Sequence, residues 1–258
     1  MKKYYFLSGL PRSGNTLLSS ILNQNKRICV SPNSVVVDIV AHTDYIKNDI
    51  VYKNFPNSNC HDNFIKNIFN LYYDNWNCDY VIDRGPWGTP TNLRLLKTYL
   101  ENKIKIICPL RNTLQILCSF IVKMVESEII NPHNSIEIEK ECEDLMSKES
   151  IIGKYFWSCE NLMRSENRSY AYFFQYEDFI KNPIKTIEQI YDYLNIDKYN
   201  HVFTNLSQYS IDNLSYDDNF LGFELHKIHS DLFLRSHDPQ EILPQSVIKK
   251  YYDYNLTF

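Results

Sequence analysis

Between Gly9 and Thr16 the chain reads GLPRSGNT, two spaced glycines closed by a hydroxyl residue. This is the glycine spacing of GxxxxGK[ST], in which the backbone N–H groups of a loop entering a helix cradle phosphate oxygens. Asn15 stands where that pattern has lysine, so the ammonium that would face the outer phosphates of a nucleoside triphosphate is missing. Arg12 lies three residues earlier, and its planar guanidinium suits two oxygens of a phosphate or sulfate. An ordinary strand-to-helix turn with an exposed arginine explains less, because it leaves the paired glycines and the Ser13 and Thr16 donors without a purpose. The expectation is an anion held by Arg12 and by the loop from Ser13 through Gly14, Asn15 and Thr16 to Leu17.

Such a loop needs a strand before it and a helix after it. Tyr4-Tyr5-Phe6-Leu7 reads as a buried strand, and Leu17, Leu18, Ile21 and Leu22 give one apolar helix face starting near Thr16. The rhythm repeats. Asp79 to Ile82 is a strand ending at Asp83, followed by a Pro86–Pro90 loop and a helix carrying Leu93, Leu95, Leu96 and Leu100. Lys103 to Leu110 is a strand with Arg111 at its exit, and Thr113 to Val125 is a helix. Ala171 to Gln175 is a strand, then YEDF, then a helix opened by Pro183. Strands alternating with helices imply a parallel sheet covered on both faces. Residues 31 to 77 follow no assignable pattern, and the charged stretch from 126 to 150 reads as a solvated loop and a surface helix.

GLPRSGNTLL resembles the 5′-phosphosulfate loop of sulfotransferases, especially the branch that includes tyrosylprotein sulfotransferases, where PRSGTT carries Arg and Asn15 replaces a Thr. The resemblance implies an α/β, three-layer P-loop nucleoside triphosphate hydrolase-like fold with a central parallel sheet, and residues 1–258 as one domain. It implies 3′-phosphoadenosine 5′-phosphosulfate (PAPS) as donor, adenosine 3′,5′-bisphosphate (PAP) as product, and no metal. The acceptor would be a hydroxyl of a carbohydrate, small alcohol, phenol or peptide. The family's Arg at a strand end and Ser eight positions later, both on the 3′-phosphate, match Arg111 and Ser119. Its YED segment, whose Tyr lies near adenine, matches Tyr176, although Glu177 or Asp178 would equally serve as helix caps. Arg84 in IDRGPWGTP matches a Lys that reaches the sulfuryl oxygens, and LHKIHSDLFLRS matches a closing segment that makes Lys227 and His229 cofactor residues. With Arg12, Arg84 would stabilise charge during transfer. The Glu of the family's GEET segment has no counterpart at Ser31-Pro32-Asn33-Ser34. That tells against a protein-tyrosine acceptor and leaves Asp38, His42, Asp44 and His61 as candidate bases.

Composition narrows the rest. The 258 residues are 44% hydrophobic and 22% charged with net charge -4, which fits a globular core and argues against nucleic acid as partner. Seven cysteines form no CxxC pair and point to a reducing, cytoplasmic setting. The apolar run before Pro11 is broken too early for a secretory signal, and no stretch approaches the ~20 apolar residues of a membrane span. His226 and His229 lack the context of a metal site. The rival activity is a Mg-ATP kinase, with Asp83 as the acid holding Mg²⁺, and a non-catalytic nucleotide sensor is a third reading.

Overall fold

The computed structural model describes residues 2–100, 104–215 and 227–258. In chain order the main elements are β1 (Lys3–Leu7), α1 (Asn15–Leu22), β2 (Ile28–Asn33), α2 (Val36–Tyr45), α3 (Ile50–Asn54), α4 (Ser58–Tyr72), β3 (Tyr80–Arg84) and α5 (Pro90–Tyr99). There follow β4 (Ile106–Leu110), α6 (Thr113–Glu126), α7 (Ser135–Met146), α8 (Gly153–Met163), β5 (Ala171–Gln175), α9 (Tyr176–Lys181) and α10 (Pro183–Leu194). A short hairpin, β6 (Ser210–Ile211) and β7 (Leu214–Ser215), precedes α11 (Pro239–Ile242) and α12 (Gln245–Tyr251).

The five long strands form a parallel sheet in the order β2-β3-β1-β4-β5. Alternating side chains divide the core between its faces. Tyr5, Leu7, Ile82 and Ile107 pack with Leu18, Ile21 and Leu22 of α1 and with Ile187, Ile190 and Leu194 of α10. Phe6, Val81, Ile106 and Cys108 face the other way, against Leu93 and Leu96 of α5, Leu117 and Phe120 of α6 and Leu162 of α8. This is the three-layer α/β architecture expected. β1 lies between β3 and β4, and the helices that follow β1 and β3 cover opposite faces, so a crevice opens beyond their carboxyl ends, where ligands of such sheets bind.

Several expectations shift. β4 starts at Ile106, not at Lys103, which lies outside the described residues. β3 runs to Arg84, so the arginine ends the strand instead of following it. The unassigned 31–77 stretch continues an edge strand, β2, into three helices. Pro32 and Asn33 masked that strand, and its pairing with β3 shifts register between Val30 and Asn33. YEDF is itself the start of a short helix, α9. Glu177 and Asp178 sit in its first turn and cap neither it nor α10, whose Pro183 opens it as expected. The 126–150 stretch contains α7, which buries Ile138, Cys142 and Leu145 and leaves its other side chains half-buried or exposed. Among the described residues no helix is long and apolar enough to cross a membrane.

The turn from β1 into α1 depends on Gly14, whose φ of 82° lies in the left-handed region. A Cβ there would also sit 2.9 Å from Cδ2 of Tyr176. Gly14→Ala is therefore expected to cost about 1–3 kcal/mol of stability in urea unfolding, from the conformational penalty and the contact together.

Candidate active site

The loop is built before any ligand arrives. Leu10 N–H donates to Pro109 O at 3.0 Å, tying it to the end of β4. Ser13 Oγ donates to Pro109 O at 3.0 Å, and Asn15 Nδ2 donates to Leu10 O at 2.6 Å. Asn15 thus spends its donor on the loop itself, while its buried Oδ1 has no hydrogen-bond partner among the described residues. Any side chain at Gly9 would collide with that oxygen, at 2.6 Å. Arg12 takes a φ of 58°, a strained backbone for arginine of the kind that gathers at functional sites. No side chain caps α1 at Gly14, so the start of the helix is left open for an anion.

A cleft of about 1070 Å³, open to solvent, lies over this loop. Arg12, Gly14, Asn15, Thr16, Leu17, Arg84, Arg111, Ser119, Tyr176, Lys227 and His229 all line it, so sequence-distant candidates meet in one place. Ser13 differs. It is fully buried, and its amide and hydroxyl are taken up by the carbonyls of Leu10 and Pro109, so it shapes the loop without facing the cleft.

The cations fall into two groups. Arg84, 8% exposed at the end of β3, donates through Nη1 to Thr16 Oγ1 at 3.1 Å, and Ser31 Oγ accepts its backbone N–H at 2.9 Å. Arg12 goes the other way, donating from Nε to Ser119 Oγ at 2.9 Å. There it joins Arg111, whose Nη1 donates to Arg12 O at 2.8 Å and whose Nη2 donates to Arg235 O. Arg111 stacks on Tyr176 with its guanidinium carbon 4.6 Å from the ring centroid. Its side chain is only 4% exposed, and the nearest carboxylate, Glu177, is 4.0 Å from Nε. The buried Nε–H has no hydrogen-bond partner among the described residues. Burial holds the Arg111 pKa below its ordinary value. A desolvated guanidinium whose Nε is met only by a carboxylate 4.0 Å away is only partly compensated, and a further anion beside it would be stabilised.

The four candidate bases do not reach the cleft. His42 and His61 bond through their rings to the backbone oxygens of Asp38 and Thr43 at 2.9 and 2.8 Å. Asp44 is taken up by Arg94, Lys47 and Tyr99, and Asp38 is exposed on α2. Sequence reasoning missed Asn33, Tyr155, Asp231, Phe233 and Arg235, all of which line the cleft. Arg235 carried a usable signal, as a basic residue within the closing segment. Tyr155 carried none, because α8 is brought over the loop by tertiary bonds such as Ser8 Oγ with Ser158 Oγ at 2.8 Å. His226 lies outside the described residues.

The family model described as the sulfotransferase domain matches residues 2–221. The chain belongs to the sulfotransferase family. Among solved structures, the sulfotransferase domain from the curacin biosynthetic pathway superposes with a TM-score of 0.55 at 15% identity, covering 100% of this chain and 92% of that one. The sulfotransferase domain from the Synechococcus PCC 7002 olefin synthase gives 0.54 at 16% identity, covering 99% and 96%. These likenesses concern the fold. A search of curated proteins gave no match. As a sulfotransferase, the protein is an enzyme that transfers a sulfuryl group to an acceptor.

The kinase alternative required Asp83 at the cleft. Asp83 is fully buried; Trp87 Nε1 donates to its Oδ1 at 2.7 Å and Tyr73 OH donates to its Oδ2. Burial raises its pKa. It is a structural acid of this sulfotransferase, holding the β3 exit and Trp87 in place. Asp83→Ala, which strands two buried donors, is expected to lose roughly 2–4 kcal/mol in urea unfolding.

Proposed function

We propose that this sulfotransferase takes PAPS as donor, releases PAP, and passes the sulfuryl group to a hydroxyl acceptor, with residues 1–258 acting as one domain. The observation that carries this reading is Arg111: a buried guanidinium whose Nε–H has no hydrogen-bond partner among the described residues, grouped with Arg12 and Ser119 away from the Arg84–Thr16 pair. Two separate cationic groups over one loop fit a donor with phosphates at two positions. The donor supplies an already activated sulfuryl group on its 5′-phosphate.

In this reading the open start of α1, with Gly14 to Leu17 and Thr16 Oγ, holds the 5′-phosphate, and Arg84 neutralises charge on the sulfuryl and leaving oxygens. Arg111, Ser119 and Arg12 hold the 3′-phosphate, with Lys227, His229 and Arg235 closing over the donor. Arg12 therefore serves the far phosphate more than the reacting end. Tyr176, buried and stacked on Arg111, borders the adenine. Net charge -4 and seven free cysteines support a small-molecule partner and a cytoplasmic setting.

The proton of the acceptor hydroxyl goes to a cleft residue. His229 fits this role: before the donor binds, desolvation, and then the charges of Arg235, Lys227 and Lys123, hold it below its ordinary value of 6.5 and favour the neutral ring. The sign follows. With donor bound and acceptor limiting, the rate rises with pH as the His229 ring loses its proton and is flat above that step, while His229→Asn loses that rise and roughly 100-fold or more in kcat.

Arg111→Ala tests the donor reading. It is expected to weaken adenosine 3′,5′-bisphosphate at least roughly tenfold and adenosine 5′-phosphate little, measured by calorimetry. Equal losses for both nucleotides refute a 3′-phosphate role.

A further inference from the structure

We infer that Gln115 is a positioning residue for the donor's 3′-phosphate: its side-chain amide clamps the closing segment at His237 and thereby fixes Arg235 at the cleft beside Arg111. The inference rests on the donor reading above. Gln115 stands in the first turn of α6 and does not itself line the cleft. Its Nε2 donates to His237 O at 2.7 Å, and its Oε1 accepts from His237 N–H at 2.9 Å. One amide thus satisfies both backbone groups of one residue, the exchange a neighbouring strand would offer. Glutamate lacks the donor for this and alanine lacks both partners.

The clamp does not act alone. Two residues before it, the Arg235 carbonyl accepts from Arg111 Nη2, and further back Ser230 O accepts from Leu206 N–H at 2.8 Å. The segment is pinned on both sides of Phe233, over whose ring the Arg235 guanidinium lies at 5.0 Å. Arg12, Arg111 and Arg235 all face one cleft, and like charges in a partly desolvated site repel. Without a bound anion that repulsion favours release of Arg235, the arginine on the irregular segment. Tethering the backbone at His237 opposes it, so the third cation is in place before the phosphate arrives.

The test is calorimetry of adenosine 3′,5′-bisphosphate and adenosine 5′-phosphate with the full-length wild type, Gln115→Ala, Gln115→Glu, Arg235→Ala and the Gln115→Ala/Arg235→Ala double variant. Hydrogen exchange at the His237 amide is followed in the ligand-free proteins. Gln115→Ala is expected to weaken the bisphosphate roughly tenfold and the monophosphate less than about twofold, with faster exchange at His237. Gln115→Glu, which keeps only the acceptor, shares the selective loss, and the double variant binds no more weakly than Arg235→Ala alone. Wild-type affinity in Gln115→Ala, equal loss of both nucleotides, or losses that multiply in the double variant would each overturn the role of Gln115 while leaving the donor reading intact. Failure of the wild type to bind the bisphosphate overturns the donor reading itself, and this role with it.

Discussion

The site depends on one desolvated charge. Taking a guanidinium out of water is costly unless its donors are met, and Arg111 meets that cost only in part. Two carbonyls, the face of Tyr176 and the Glu177 carboxylate 4.0 Å away hold it, while its Nε–H has no hydrogen-bond partner among the described residues. Those partners come from three places in the sequence: the loop after β1, the start of α9 and the closing segment. Placing this one side chain therefore brings together the parts that make the cleft, and the residual unfavourable burial becomes affinity for an anion.

The sheet makes that placement possible. Arg84 and Arg111 leave the ends of β3 and β4, strands buried along their whole length that flank β1. Rigid neighbours fix where both arginines emerge, and the loop after β1 runs between them. Asp83, Trp87 and Tyr73 lock the β3 exit from beneath, and on the same face α8 holds the end of β1 through Ser158 and Cys159 on Ser8. Precision at the anion site comes from strand ends, and the closing segment is left to irregular chain held by a few side-chain clamps.

What the sequence disclosed follows the same division. The loop, Arg111 and Tyr176 were legible because each sits at a strand exit, where local pattern and tertiary position coincide, and Ser119 followed from its spacing after Arg111. Buried runs such as IICPL and AYFFQ announce their strands. The edge strand β2 stayed hidden because SPN looks like a turn, and only pairing with β3 extends it. Asp44 and His61 looked available as bases, yet α2, α4 and α5 engage them with one another's side chains and backbone. Tyr155, Asp231 and Phe233 reach the cleft through packing that no spacing rule encodes. The sequence also could not show that Arg12 turns toward Ser119, since that depends on a positive φ in the loop.

Thermal unfolding of the purified protein with adenosine 3′,5′-bisphosphate or ATP, each with and without Mg²⁺, shows which nucleotide the cleft holds. At a bisphosphate concentration 100 times its Kd the stabilisation is about 2.7 kcal/mol, a rise in Tm of roughly 5–10 °C for a chain of this size. A donor site for PAPS gives that rise with the bisphosphate, unchanged by Mg²⁺. A shift seen only with Mg²⁺ and ATP would contradict it.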